Sequence, residues 1–115
     1  MSSIELAEDV VPIFAALGDR TRLNLLNRLS NGEPCSITTL SGDTRLTRQA
    51  VTKHLRMLER AGLVRHLKHG RESRFAIEPE RIDNARAYLE KVTRQWESAL
   101  VRLKAFVEDN HDQDS

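Results

Sequence analysis

Apolar residues in this 115-residue chain keep helical spacing through its first half and again over Ile82 to Phe106, but lose it between Leu63 and Ile77. There the pattern shortens to two runs, Leu63-Val64-Arg65-His66-Leu67 and Arg74-Phe75-Ala76-Ile77, which flank His69-Gly70-Arg71-Glu72. Two short β-type runs around a glycine read as a hairpin. A lone hairpin is marginal in water, so this one must lean on the helices. The expected fold is mainly α with a small β-hairpin.

Local signals divide the rest. Ser2 and Glu5 have capping-box spacing, and Ile4, Val10, Val11, Ile13, Phe14 and Leu17 follow as a first helix. Gly18 suits a left-handed helix end, and Asp19 suits the cap of the next helix. That helix places Leu23, Leu26 and Leu29 on one stripe beside Leu25, and stops at Ser30-Asn31-Gly32. A short helix over Ile37 to Gly42 follows Pro34. Thr47 reads as the N-cap of a fourth helix reaching about Ala61, with Gly62 ending it. Pro79 opens a long last helix whose early acids, Glu78, Glu80 and Asp83, complement its dipole. The expected organisation is one domain over 1–107, with helices at 1–17 and 79–107, a helix-turn-helix at 37–61 and a wing at 63–77. An acidic, frayed tail is expected at 108–115.

Composition narrows the class. Aromatics make up 4% of the chain, too few for an aromatic platform that stacks single-stranded bases. No apolar run is long enough to span a bilayer, and the first residues lack the pattern of an export signal. One cysteine, Cys35, excludes an intrachain disulfide and fits a reducing compartment, so a cytoplasmic location is expected. No nucleophile elbow, HExxH or phosphate loop appears, so no enzyme is expected.

Charge supplies the functional signal. Residues 45–74 hold nine Lys/Arg and two acids, against three basic and six acidic residues before Arg45 and six basic and nine acidic after Ile77. A positive window on a chain of net charge +1 suits contact with a nucleic-acid backbone. With 100° per residue and Arg48 at 0°, Arg48, Gln49, Thr52, Lys53 and Arg56 fall within 0–140°, and Ala50, Val51, Leu55, Met57, Leu58 and Ala61 within 180–340°. His54, at 240°, lies in the apolar arc. Arg and Gln chelate guanine and adenine edges, and a Thr methyl meets thymine. Arg48, Gln49, Thr52 and Lys53 are the candidate base readers. Arg45, Thr47, Arg56, Arg71 and Arg74 are candidate phosphate contacts, and Lys68 and His69 join Arg71 and Arg74 on the wing.

In the last helix Ile82, Ala85, Leu89, Val92, Trp96, Ala99, Leu103 and Phe106 recur at 3,4 spacing over about seven turns. A narrow seam of this kind pairs helices. With Val10 and Phe14 of the first helix, Ile82, Ala85, Leu89, Val92, Trp96, Ala99 and Leu103 form the expected homodimer interface. The alternative is an interaction module that docks a different protein partner through this helix.

Three segments carry a family resemblance: Phe14-Ala-Ala-Leu-Gly-Asp-Arg-Thr-Arg-Leu-Asn-Leu-Leu, Gln49-Ala-Val-Thr-Lys-His-Leu-Arg-Met-Leu-Glu-Arg-Ala-Gly-Leu-Val and Gly70-Arg-Glu-Ser-Arg-Phe. From about residue 10 to residue 106 the chain resembles the ArsR/SmtB family of bacterial repressors. The resemblance implies a dimeric winged helix-turn-helix on a pseudo-palindromic double-stranded operator, released by an inducer that is a small molecule or a redox signal. Arg20 stands where many members have proline. Metal-sensing members carry Cys-x-Cys where this chain has Ser36 and Thr38, with Cys35 one residue out of register. One thiolate makes no soft-metal site. No histidine lies in 80–107 to build the zinc site of other members, and His111 with Asp109 and Asp112 makes a poor substitute in an acidic tail. No metal or other cofactor is expected, and Cys35 remains as a candidate redox residue.

Overall fold

The computed structural model describes residues 3–42 and 44–113, without the side chains of 3–9 and 111–113. Within them the chain runs α1 (Ser3–Leu17), α2 (Arg20–Arg28), β1 (Cys35–Ser36), α3 (Ile37–Gly42), α4 (Arg48–Arg60), β2 (Val64–His69), β3 (Glu72–Ile77) and α5 (Pro79–Gln113). Two compact units divide the chain, one ending at Ala85 and the other comprising the rest of α5 from Arg86.

Capping chemistry sets most helix ends. Asp19, extended at φ −146° and ψ 131°, accepts from the Arg22 N–H at 3.0 Å and starts α2. The Ser36 hydroxyl accepts from Thr39 N at 3.0 Å and starts α3. Thr47, at φ −68° and ψ 158°, accepts from Ala50 N at 3.1 Å and starts α4. That helix ends in a Schellman motif: Gly62, at φ +78°, donates to Glu59 O, and Leu63 donates to Leu58 O. Gly18 has no positive φ, contrary to the expected left-handed helix end. Its N–H turns back to Ala15 O at 3.4 Å, and the extended Asp19 makes the break instead. The Ser2–Glu5 capping box lies outside the described residues.

The first unit is built around one core. Ile13, Leu25, Leu29, Leu40, Val51, Leu55, Leu58, Leu63 and Phe75 are fully buried in it. Truncating one of these leucines to alanine costs about 2–5 kcal/mol through lost transfer and the cavity left behind. The helix α2 buries Leu25, Leu26 and Leu29, while Leu23 is exposed. The apolar arc of α2 is thus rotated away from the stripe expected from sequence. Arg28 ties α2 to α3 by donating to Leu40 O at 2.8 Å.

The hairpin is part of a three-stranded antiparallel sheet in the order β1-β3-β2. The sequence pattern anticipates only two strands. A two-residue strand is too short to show a period, and it forms here because β3 offers its free edge: Cys35 pairs with Phe75 and Ser36 with Arg74. His66 pairs with Phe75 from the other side, their rings 5.0 Å apart. The turn uses Gly70 at φ +63° between the paired His69 and Glu72.

From Arg86 to Gln113 the chain is helix alone. It continues to Gln113, six residues past the expected end at 107, because nothing between Glu80 and Gln113 is glycine or proline. The side chains of His111 and Asp112, considered with Asp109 for a metal, lie outside the described residues. No helix among the described residues is long and apolar enough to cross a membrane.

Candidate nucleic-acid interface

Two faces of α4 do opposite jobs. Val51, Leu55 and Leu58 are buried against the core, while Arg48, Gln49, Lys53 and Arg56 are exposed. The first turns carry an open groove of about 490 Å³ lined by Arg48, Gln49 and Thr52. Thr52 donates its hydroxyl proton to Arg48 O at 2.8 Å, which leaves its methyl as the group available to a base. Thr47 uses only an oxygen lone pair in its cap, so its O–H remains a donor at the positive end of the helix dipole.

The cations differ in how they are held. Arg45, Arg48, Lys53, Lys68 and Arg71 make no ion pair or hydrogen bond among the described residues, and all are exposed. Arg56 is paired with Glu59, Nη1 to Oε1 at 3.0 Å, and its guanidinium lies 5.7 Å from the centre of the Phe75 ring. Arg74 donates to Glu72 from Nε and Nη2, both at 2.9 Å. The hydrogen bond from Arg74 lowers the Glu72 carboxyl below its ordinary value, helped by the charges of Arg74 and His69. Two of the expected phosphate contacts are therefore already shared with acids. The wing tip, Lys68 to Arg71, is exposed.

One cluster has no counterpart among the sequence motifs. Arg22 donates from Nε to Ala16 O at 2.6 Å and from Nη1 to the Met57 sulfur at 3.4 Å, with Nη1 also 3.4 Å from His54 Nδ1. His54 Nδ1 is in turn 3.8 Å from Asp19 Oδ2. The cluster joins the end of α1, the start of α2 and the buried side of α4, so it sets how α4 is mounted. Asp19 was legible as a cap, and His54 as an inward residue. Nothing in sequence joined them to the Arg22 side chain.

The ArsR metal site does not fit the residues present. Ser36 is occupied as a helix cap and bonds Thr39 Oγ1 at 2.9 Å, and the Cys35 thiol is directed toward Glu33 O at 3.9 Å. Among the described residues no three His, Cys, Asp or Glu side chains converge on a metal position.

The expected dimer residues divide in two. Val10 and Ala85 are 1% and 6% exposed within the single chain, so they are core and have little surface to offer a partner. Sequence spacing does not distinguish inward packing from pairing. Phe14, Ile82 and Val92 are half-buried. Leu89, Trp96, Ala99 and Leu103 are exposed, as are Leu100, Phe106 and Val107 near them.

Comparison with known proteins follows the same lines. A family model described as a helix-turn-helix domain matches residues 17–66. The uncharacterized HTH-type transcriptional regulator YuzN of Bacillus subtilis (strain 168) is 42% identical over 65 residues, 51% of this chain and 71% of that one. The solved structure of an ArsR-like transcriptional regulator from Rhodococcus sp. RHA1 superposes with a TM-score of 0.76 at 31% identity, covering 87% of this chain and 93% of its own. A homodimeric winged helix-turn-helix DNA-binding domain from Mycobacterium bovis shares the fold, with a TM-score of 0.63 at 24% identity over 80% of this chain and 83% of that one. None of these similarities favours the reading of the long helix as a dock for a different protein.

Proposed function

This chain belongs to the ArsR/SmtB family of winged helix-turn-helix transcriptional regulators, DNA-binding proteins rather than enzymes, and on that premise we propose that it is a homodimeric repressor released by a signal. The observation that carries the site is the exposed set Arg48, Gln49 and Lys53 on the outer first turns of α4, without a partner among the described residues. With α4 in the major groove, Arg48 and Gln49 chelate base edges while Thr52 offers its methyl. Arg45, Thr47 and the wing residues Lys68, His69 and Arg71 hold the backbone, and Arg56 and Arg74 contribute what their acid partners leave free. Phosphate contacts of this kind position the protein without reading sequence.

The exposed Leu89, Trp96 and Leu103 stripe supports the dimer, as does the homodimeric state of the Mycobacterium bovis domain. Two-fold symmetry then asks for half-sites about 34–36 Å apart. The working place of such a repressor is the cytoplasm, where the chromosome is.

The deciding experiment is fluorescence anisotropy on DNA upstream of the protein's own gene. Arg48→Ala and Gln49→Ala are each expected to cost about 1–3 kcal/mol and to relax preference at one base pair. Unchanged affinity and preference in the double variant would refute the assignment of α4 as the reading helix.

A further inference from the structure

Away from the outer polar face of α4, α1 and the C-terminal turn of α4 line an open apolar hollow of about 290 Å³ with Pro12, Ala15, Ala16, Met57, Arg60 and Ala61. A smaller one of about 140 Å³ adjoins it through Pro12, Arg60 and Ala61, and adds Gly62 and Arg81. The larger is near the lower end of the range for small-ligand sites, about 300 Å³. Two guanidinium groups border an otherwise apolar surface. Neither Arg60 nor Arg81 makes a hydrogen bond or ion pair among the described residues.

Their usual occupations are taken. A basic residue in the last turn of a helix ordinarily serves the terminal carbonyls. Here the carbonyls of Met57, Leu58 and Glu59 already accept from Ala61, Leu63 and Gly62. The nearby acids Glu59 and Glu78 are bound to Arg56 and Arg65. Arg81 is laid across Gly62, since a Cβ at that glycine would come within 2.8 Å of Arg81 Cγ and 3.2 Å of Nε. Its head is thereby brought to the end of α4.

We propose that this hollow binds a small organic anion, a monocarboxylate with a compact apolar body, its carboxylate on Arg60 and Arg81 and its body against Pro12, Ala15 and Met57. Charge complementarity selects the anion, and the apolar walls select its body. Met57 also touches Arg22, so an occupant presses on the mounting of α4. The consequence for DNA rests on the repressor reading above; the binding itself does not.

The test is calorimetric titration of the full chain, without DNA, using benzoate as probe and benzamide as its uncharged isostere. Saturable benzoate binding is expected, at least tenfold tighter than benzamide. Arg60→Gln with Arg81→Gln should weaken benzoate at least tenfold, and Ala15→Phe should abolish it by filling the hollow, with thermal unfolding midpoints confirming that the variants fold. No saturable binding at millimolar benzoate would overturn the proposal. So would benzoate binding that ignores both arginine changes. If those changes alter only the sedimentation of the chain, a second copy covers the hollow and the proposal also falls. Anisotropy on upstream DNA without benzoate is run in parallel: failure there refutes the repressor reading and leaves the calorimetric result standing.

Discussion

Arg22 Nη1 on α2 sits 3.4 Å from His54 Nδ1 on α4, a contact across 32 residues of sequence. The same guanidinium reaches Ala16 O through Nε, and the Met57 sulfur through Nη1. A planar fork can serve these partners together, whereas an ammonium is a point charge. Arg22→Lys should therefore behave much like Arg22→Ala. Both are expected to lose roughly 1–3 kcal/mol in urea unfolding, the range for a hydrogen bond from a charged group and for the acceptors left behind. Lysine restoring wild-type stability would show that charge, not the fork, matters.

Asp19 gives a pH dependence of definite sign. Its carboxyl is lowered from the ordinary value of 3.8, chiefly by the Arg22 N–H, with the charges of Arg22 and His54 adding to the effect. A carboxyl whose pKa is lower folded than unfolded stabilises the fold above its unfolded value. That contribution is lost as pH falls through the folded value. The thermal midpoint of wild type should thus drop below about pH 4, and part of that drop should vanish in Asp19→Asn. At neutral pH the asparagine, still able to cap, should unfold at a higher temperature than Asp19→Ala. Equal acid limbs in wild type and Asp19→Asn would assign acid sensitivity to other groups.

On the proposed reading, Glu72 should act as a brake on the wing. It holds Arg74 at 2.9 Å, so Glu72→Gln should free one cation for phosphate. Affinity for non-specific duplex is expected to rise, and the log–log salt slope to steepen by about one counterion. Loss of affinity would mean that Glu72 orients Arg74 productively.

The exposed stripe of α5 predicts assembly. Trp96→Glu or Leu103→Glu should yield monomers by sedimentation without lowering the stability of the first unit, because both side chains are more than half exposed in the single chain. Operator affinity should fall at least tenfold as the two half-sites are no longer held together. A dimer persisting in the double variant would place the interface elsewhere. Val10, by contrast, should behave as a core residue.

Much of the fold was legible because the signals involved are local. A cap acts within three residues, so Asp19, Thr47 and Gly62 announced the ends of α2 and α4. A helical face is a periodicity, so the division of α4 into reading and packing sides followed from residues 48–61 alone. Other features had no local signal. The strand Cys35–Ser36 shows no period, and it exists because β3 presents an edge. Leu23 matches the apolar stripe as well as Leu26 does, yet only the packing partners of α2 decide which is covered.

The sequence by itself therefore determined the element order, the two-faced helix α4 and the positive window that contains it, since each depends on neighbours within a few residues. The pairs Arg56–Glu59 and Arg74–Glu72 join residues three and two apart, so they belong to local structure. Tertiary structure decided how α4 is mounted. His54 meets Arg22 and Asp19 only when α4 packs against the start of α2. Folding brings those groups within reach, and interactions between charges and hydrogen-bonding groups depend on distance in space, which sequence separation does not report.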